Sequence, residues 1–263
     1  MARITIIGGG RMGSALISGL LAHGWASAED CVVVERYEEA RAELTKRFPQ
    51  LHVAAEPPPG ESLVLAVKPQ DLEATCRELP SGSFDRVLSI AAGVPTERIE
   101  SWLWSGVRVL RAMPNTPALL GVGASAVAPG KNATEDDVIW AESVLSAIGM
   151  VVSLPEELLD ATTGLSGSGP AYIFLVAEAL IAAGIEVGLS PEVSRVLTLQ
   201  TVLGAARMLS ESGESPEELR AAVTSPNGTT AEGIKVMEER GLREILSASV
   251  RAATERSREL GRG

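Results

Sequence analysis

The 263-residue chain has few aromatic residues, cysteines and histidines, and each shortage excludes a class of protein. Phe, Trp and Tyr make up 3% of the residues, so aliphatic side chains must build the core. The cysteines Cys31 and Cys76 and the histidines His23 and His52 lack the spacing of metal ligands, so we expect no metal site. Two histidines in the first half also leave no Ser-His-Asp triad. Two unpaired thiols are typical of a reduced, cytoplasmic protein.

The charge balance excludes a second group of partners. The formal net charge is −11 and the sequence has no basic tail or stripe, so we expect no nucleic-acid partner. Hydrophobic residues make up 45%, which is ordinary for a globular protein. The long apolar stretch 171–189 is interrupted by Glu178 and Glu186, which predicts a soluble helix and no membrane partner.

The hydrophobic pattern divides the chain into two parts. Up to Leu154, short β-branched runs alternate with helical patterns, which predicts an α/β domain with a doubly wound parallel sheet. The predicted strands are 4–7, 31–35, 62–67, 87–90, 107–111, 123–128 and 150–154, and the predicted helices between them are 11–23, 37–48, 72–79, 96–103 and 134–148. From residue 155 the sequence has helical periods alone. We therefore predict a sheet domain over 1–154 and an all-α domain over 155–263.

The predicted helices of the second part are rich in alanine and glycine. They cover 156–162, 171–187, 191–212, 215–223, 229–240 and 242–260. Small residues allow helices to approach closely, and about 108 residues of such helices leave apolar faces to be covered. A homodimer through this domain is the natural way to cover them.

A glycine-rich segment carries the clearest chemical signal. Residues 8–13 match G-x-G-x-x-G between the first predicted strand and the first predicted helix. Gly8 allows the tight turn, Gly10 lets the backbone approach a pyrophosphate, and Gly13 lets the helix pack on the strand. The free N–H groups of the helix start would bind the phosphates. The segment predicts a Rossmann-type dinucleotide-binding domain.

The end of the second predicted strand leaves the choice of dinucleotide open. Glu35, 22 positions after Gly13, is placed to accept hydrogen bonds from the adenosine ribose. Arg36 follows directly and would instead stack on adenine or bind a 2′-phosphate. Because the two side chains favour opposite cofactors, both NADH and NADPH stay open.

Other strand ends supply candidate contacts, since ligands bind at the carboxyl ends of parallel strands. Lys68, in the segment 66–69, would bind cofactor hydroxyls or stabilise negative charge. Small residues at 91–93 leave room for a flat ring. Asn115, between two prolines in the segment 111–117, is a candidate amide contact.

Two segments stand out in the helical part. Residues 164–170 predict a flexible, donor-rich loop that ends with Pro170 at the first position of a helix. Residues 224–230 predict a turn that feeds the next helix. Thr229 and Glu232 have the spacing of a capping box, so Thr229 is either the N-cap of that helix or part of a site for a substrate carboxylate.

Six segments together resemble one family. They are IIGGGRMG at 6–13, AVKP at 66–69, SIAAGV at 89–94, RAMPNTP at 111–117, GLSGSGPAY at 164–172 and VTSPNGTT at 223–230. In order and spacing, over the whole chain, these segments are similar to those of pyrroline-5-carboxylate reductases. The resemblance implies a Rossmann domain, a helical domain that interlocks with its copy in a dimer, and further assembly of dimers, commonly into decamers.

The resemblance also implies an activity and its residues. It implies reduction of Δ1-pyrroline-5-carboxylate to L-proline by hydride transfer from NADPH or NADH, the last step of proline biosynthesis. Thr230 would be catalytic, with its hydroxyl near the ring nitrogen, and Ser225, Thr229 and Thr230 would bind the substrate in a pocket at the dimer. The cofactor-binding residues would be Gly8, Gly9, Gly10, Arg11, Met12, Gly13, Glu35, Arg36, Ala66, Val67, Lys68, Pro69, Ala91 and Asn115.

Two positions depart from the family pattern, and two alternatives remain. Asn227 stands where the family has glycine, and asparagine tolerates the left-handed conformation better than most residues. Glu35 stands where NADPH-preferring members more often have a smaller or neutral residue. A β-hydroxyacid dehydrogenase would need a helical-domain lysine as acid/base, and Lys235 is the only one there. A non-catalytic NAD(P)H-binding protein would have no need of hydroxyls at Thr229 and Thr230.

Overall fold

The structure is a computed structural model, which describes residues 3–262. Eight strands form one sheet: β1 (Ile4–Ile7), β2 (Cys31–Val34), β3 (His52–Ala54), β4 (Ser62–Leu65), β5 (Arg86–Ser89), β6 (Arg108–Met113), β7 (Gly123–Pro129) and β8 (Gly149–Ser153). Their order across the sheet is β3-β2-β1-β4-β5-β6-β7-β8. After β3 at one edge, the chain returns and places β4 on the other side of β1, so the strand order switches between β1 and β4. A ligand-binding crevice forms at such a switch point.

The sheet is parallel except at one pair. β7 runs antiparallel to β6, whereas the other neighbouring pairs are parallel. The predicted doubly wound parallel sheet is therefore confirmed, with the exception of β7, which returns antiparallel to β6. The connection over 114–122 contains only a short 3₁₀ helix, Thr116–Leu120, and a parallel return needs a crossover of a dozen or more residues.

The core lies on both faces of the central strands. Every residue of β1, β2 and β4 is buried, which explains why these strands are almost continuously apolar in the sequence. The helices around the sheet are α1 (Arg11–Ala22), α2 (Glu38–Arg47), α3 (Pro69–Glu78), α4 (Thr96–Trp102) and α5 (Glu135–Leu145). The edge strand β3 was not predicted, because three partly exposed residues carry no hydrophobic pattern.

The second part of the chain is helical, as predicted. Its helices are α6 (Leu159–Thr162), α7 (Gly169–Glu186), α8 (Pro191–Glu211), α9 (Pro216–Ala222), α10 (Thr229–Glu239) and α11 (Leu242–Arg262). The predicted loop over 164–170 is wrong: Thr163–Gly167 forms one π-helical turn, and the residues 156–186 make a continuous helical stretch.

Pro170 and Asn115 explain why this segment is helical despite its sequence. Pro170 has no N–H, so an α-helix through it leaves the carbonyl of Ser166, four residues earlier, without its usual donor. The side-chain amide of Asn115 donates to that carbonyl over 3.0 Å. The wider turn is closed by the Ser168 N–H, which donates to the carbonyl of Thr163 over 2.8 Å.

The described residues up to Ser168, together with those from Arg251 onward, form one compact unit, and Gly169–Val250 form another. Within the first unit, the buried Arg111 of β6 pairs with Glu156 at 3.3 Å and with Asp160 at 3.7 Å. The hydroxyl of Ser257 on α11 donates to Asp160 over 2.7 Å. These contacts attach helical segments to the sheet, so the units divide the chain later than residue 154, where the sequence predicts a domain boundary.

The second unit exposes much apolar surface. α7 and α8 pack closely, because Gly184 leaves room for the buried Ser194, whose hydroxyl donates to the carbonyl of Ile181. No residue of α7 is buried, and Phe174 and Leu175 are 60% and 64% exposed. By length and composition the helical stretch 156–186 is also long and apolar enough to cross a membrane.

Candidate active site

A cavity of about 650 Å³ lies at the carboxyl ends of β1, β2, β3 and β4. Its lining comes from the last residues of these strands, the turns that follow them, α2, and α3 with the residues after it: Ile7, Gly8, Gly10, Val34, Glu35, Arg36, Tyr37, Ala40, Ala55, Glu56, Pro57, Ala66, Val67, Lys68, Asp71, Thr75, Glu78, Leu79 and Pro80. The volume is typical of a small-molecule or cofactor site. The cavity lies at the reversal of strand order, where this architecture binds dinucleotides.

The glycine turn has the shape that a pyrophosphate needs. Gly8 has a φ of 104°, and a Cβ there would lie 2.6 Å from the carbonyl oxygen of Ala66. A Cβ on Gly13 would collide with the carbonyl of Gly8, so the start of α1 packs directly on the turn. At Gly10 a Cβ would point into open space, and no side chain caps α1. The N–H groups of this helix start are therefore available to an anion from the cavity side.

Glu35 is held in place at the end of β2. Its carboxylate accepts hydrogen bonds from the N–H groups of Gly9, at 3.1 Å, and Tyr37, at 3.2 Å. The guanidinium of Arg41 donates to the backbone carbonyls of Glu35 and Arg36. The Glu35 carboxylate thus connects the glycine turn to the residues after β2.

Arg36 lies in the same lining but is paired with another residue. Its Nη2 lies 3.0 Å from Oε2 of Glu78, the last residue of α3. The side chains are 61% and 69% exposed, so the pair lies at the solvent side of the cavity.

A second cluster of polar groups lies at the start of α10, in the other unit. Asn227 has a φ of 61°, as the sequence predicts for the residue that replaces glycine, and the N–H of Gly228 donates to the carbonyl of Ser225 over 3.0 Å. The N-cap of α10 is Gly228, without a side-chain hydrogen bond, so the predicted capping box of Thr229 is wrong. Thr229 and Thr230 are exposed, and the first-turn N–H groups lack intrahelical partners.

Comparison with known proteins decides the family. A family model described as pyrroline-5-carboxylate reductase dimerisation matches residues 156–260, and one described as NADP oxidoreductase coenzyme F420-dependent matches residues 3–93. A pyrroline-5-carboxylate reductase of Methanosarcina acetivorans is 43% identical over 99% of this chain and 98% of its own. The chain belongs to the pyrroline-5-carboxylate reductase family.

Other members agree in sequence and in structure. The Synechocystis reductase is 41% identical over 99% of this chain and 98% of its own. The solved reductase of Coxiella burnetii is 39% identical, covers 98% of each chain and has a TM-score of 0.92. The Plasmodium falciparum reductase, solved with NADP bound, is 27% identical over 99% of this chain and 98% of its own, with a TM-score of 0.82. The fold is therefore that of the reductase family, and the family uses NAD(P)H.

The structure brings half of the predicted cofactor residues into one lining and places the others outside it. Gly8, Gly10, Glu35, Arg36, Ala66, Val67 and Lys68 line the cavity, whereas Gly9, Arg11, Met12, Gly13, Pro69, Ala91 and Asn115 do not. Gly9 and Gly13 shape the turn behind the lining, and Pro69 is the first residue of α3. Ala91 is buried, at 3% exposure.

Both polar atoms of the Asn115 side-chain amide form hydrogen bonds within the protein. Besides its bond to the carbonyl of Ser166, its Oδ1 accepts from the N–H of Ala124 over 2.9 Å. The side chain therefore joins the ends of β6 and β7 to the π-helical turn. This role accounts for an asparagine here without a ligand, and its predicted cofactor contact stays a prediction.

Sequence reasoning missed several residues of the lining. Tyr37, one of two tyrosines in the chain, is 70% exposed beside the cavity, where an adenine would find an aromatic face. Its position directly after Glu35 and Arg36 is a signal that the sequence offers. Glu56, Asp71 and Glu78 carry no such signal, because only the packing of β3 and α3 brings them to the same cavity.

Both cysteines are buried and lie outside the cavity lining. Burial raises the pKa of Cys31 to about 11 and that of Cys76 to about 12, so both thiols stay protonated near neutral pH. Within residues 3–262, no group of three or more His, Cys, Asp or Glu side chains is placed to hold a metal ion.

Proposed function

We propose that the protein reduces Δ1-pyrroline-5-carboxylate to L-proline with NAD(P)H, the last step of proline biosynthesis. The observation that carries the proposal is the full-length match to reductases of this name, together with a cavity of about 650 Å³ at the glycine turn. A dehydrogenase that needs a lysine acid/base and a non-catalytic binding protein are both disfavoured by this match.

The cofactor, when bound, supplies a hydride to the imine carbon of the substrate. The residues of the chain bind and orient: the turn over 8–13 holds the pyrophosphate with backbone N–H groups, and Glu35 accepts from the adenosine ribose. Lys68, at the end of β4, donates to cofactor hydroxyls. Positioning of this kind contributes several kcal/mol to such a reaction, about 7–11 kcal/mol in the best intramolecular cases.

The start of α10 supplies the substrate contacts. The free N–H groups of its first turn and the hydroxyls of Ser225 and Thr229 bind the substrate carboxylate. The hydroxyl of Thr230 would donate a hydrogen bond to the ring nitrogen, which gains one proton from solvent, directly or relayed through this hydroxyl, as the carbon gains the hydride. Because the substrate is readily protonated at nitrogen, no stronger acid is needed.

We further propose a homodimer that assembles further, as a decamer, in the cytoplasm, and the exposed face of α7 supports the dimer. The family model for dimerisation covers this helix, and Phe174 and Leu175 are among its uncovered apolar side chains. A second copy that covers α7 removes the apolar surface from water, so the helix needs no lipid around it.

The decisive experiment measures oxidation of NADH and of NADPH when Δ1-pyrroline-5-carboxylate is added, with L-proline identified as the product. We expect each cofactor to be oxidised, with one molecule of L-proline formed for each molecule of cofactor consumed. Failure of both cofactors with a correctly folded, cofactor-binding protein would overturn the proposal. A 2-oxo acid with NAD(P)H and a 3-hydroxy acid with the oxidised cofactor NAD(P)+ serve as control substrates, and we expect neither to react.

A further inference from the structure

The lining of the dinucleotide cavity carries more acidic than basic side chains. Four carboxylates, Glu35, Glu56, Asp71 and Glu78, stand in its lining against two cations, Arg36 and Lys68. A 2′-phosphate on the adenosine ribose is the feature that distinguishes NADPH from NADH, and it would add about two negative charges here. The charge of the lining therefore bears directly on which dinucleotide is bound.

Glu78 occupies an unfavourable position for a carboxylate. It is the last residue of α3, where the helix macrodipole presents its negative end. Its ion pair with Arg36, at 3.0 Å, is too exposed to stabilise the fold by more than about 1 kcal/mol. Folding stability thus does not account for Glu78, which lies in the cavity lining.

The ion pair limits the charge and the hydrogen bonds that Arg36 can give to a 2′-phosphate. An arginine after β2 is the group that accommodates a 2′-phosphate in this architecture. Here one of its terminal nitrogens already donates to Glu78. The neighbouring Glu35 cannot turn away without losing its bonds from the N–H groups of Gly9 and Tyr37. A 2′-phosphate would therefore meet one fixed carboxylate and an arginine that is already neutralised.

We propose that Glu78, through its ion pair with Arg36, makes the cavity bind NADH in preference to NADPH. Glu78 acts as a positioning residue: it holds the guanidinium of Arg36 and neutralises the charge that would otherwise bind the 2′-phosphate. NADH, whose ribose hydroxyls hydrogen-bond to Glu35, meets no such penalty. This inference rests on the proposed binding of NAD(P)H and goes beyond it to the choice between the two.

The test is calorimetric titration of the protein with NADH and with NADPH, without substrate. We expect the wild type to bind NADH more tightly. Glu78→Gln should lower the dissociation constant of NADPH about fivefold, since an exposed charge contributes an effect of this size, and change that of NADH less than about twofold. Glu73→Gln is the matched control: Glu73 lies on the same helix, pairs with Arg77 at 2.9 Å, and is outside the lining.

A second variant separates the ion pair from a general charge effect. In an Arg36→Ala background, Glu78→Gln should improve NADPH binding far less than in the wild type. Tighter NADPH binding by the wild type, an equal gain for both cofactors in Glu78→Gln, an equal effect of Glu73→Gln, or an undiminished effect in the Arg36→Ala background would each overturn the proposal. Because binding is measured without substrate, these outcomes are separate from a failure to reduce pyrroline-5-carboxylate.

Discussion

The glycines of the turn over 8–13 are required for different reasons. Gly8 and Gly13 are required by the backbone around them, since a Cβ would meet carbonyl groups at both places. Gly10 is different, because a Cβ there meets nothing within 4 Å. Its glycine serves the ligand and not the fold.

Gly10→Val should therefore weaken binding of both NADH and NADPH at least about tenfold while the melting temperature changes by less than about 2 °C. Titration with each dinucleotide and thermal unfolding measure the two effects. Gly10→Ala, with a smaller side chain, should give an intermediate loss. Unchanged binding in Gly10→Val would show that the turn is only structural.

Thr229 and Thr230 are neighbours with different expected roles. Both are exposed and neither caps α10, so removing either hydroxyl leaves the helix start as it is. Thr230→Ala should lower kcat by roughly 10-fold to 10³-fold, which is typical for a donor that acts in the transition state, with no change in melting temperature. Thr229→Ala should mainly raise KM. Full activity of Thr230→Ala would remove this residue from the catalytic group.

The two thiols should make stability depend on pH at the alkaline end. The ordinary thiol pKa is 9.0, and burial raises it to about 11 for Cys31 and about 12 for Cys76. Above about pH 9 the unfolded chain loses these protons and the folded protein keeps them, so the free energy of unfolding falls as pH rises. The fall should be on the order of 1 kcal/mol per thiol between about pH 8 and about pH 10.5.

Urea unfolding at the two pH values measures this slope, and the Cys31→Ala/Cys76→Ala double variant is the control. The stability of the double variant should depend less on pH, because it lacks the two thiols, whereas the other alkaline groups titrate alike in both proteins. An identical slope in the two proteins would show that the thiols do not contribute.

At the scale of elements, the helical stretch 156–186 depends on a side chain from the connection between β6 and β7. Its π-helical turn leaves the carbonyl of Ser166 to be satisfied by Asn115, which also accepts from the N–H of Ala124. The contact anchors the start of the helical part at the ends of β6 and β7. Pro170 is the reason that a side chain is needed there.

Asn115→Ala should lower the free energy of unfolding by about 1–2 kcal/mol, because a partly buried carbonyl and a backbone N–H lose their partners. Asn132→Ala, which removes a single bond to the carbonyl of Val107, should cost less. In a Pro170→Ala background the helix regains an N–H for Ser166, so the cost of Asn115→Ala should fall. Equal costs in the two backgrounds, measured by urea unfolding, would contradict this account.

At the scale of the whole molecule, the two compact units differ in what covers their apolar side chains. The sheet unit has buried strands and helices packed on both faces. The unit Gly169–Val250 leaves most of its large apolar side chains exposed, with no residue of α7 buried. Such a unit is expected to be stable only with a partner, and the family model for dimerisation matches this region.

Phe174→Asp should therefore weaken assembly, because it places a charge in the apolar surface that a second copy would cover. Light scattering at micromolar concentration should show the wild type as a dimer or larger and the variant as a smaller or aggregating species. Ile139→Asp, at a similarly exposed side chain of α5, is the control and should leave the mass unchanged. A stable, active wild-type monomer would contradict the proposed dimer.

The sequence by itself determined the alternation of strands and helices, the glycine turn and the helical second part, because each depends on local periodicity and on residues close in the chain. Tertiary structure alone decided the helical state of 163–170 and the partner of Arg36. Each of these depends on a group distant in sequence: the amide of Asn115, and the carboxylate of Glu78, 42 residues from Arg36. No local pattern encodes such contacts, since they arise when the packed sheet and helices bring separate segments together.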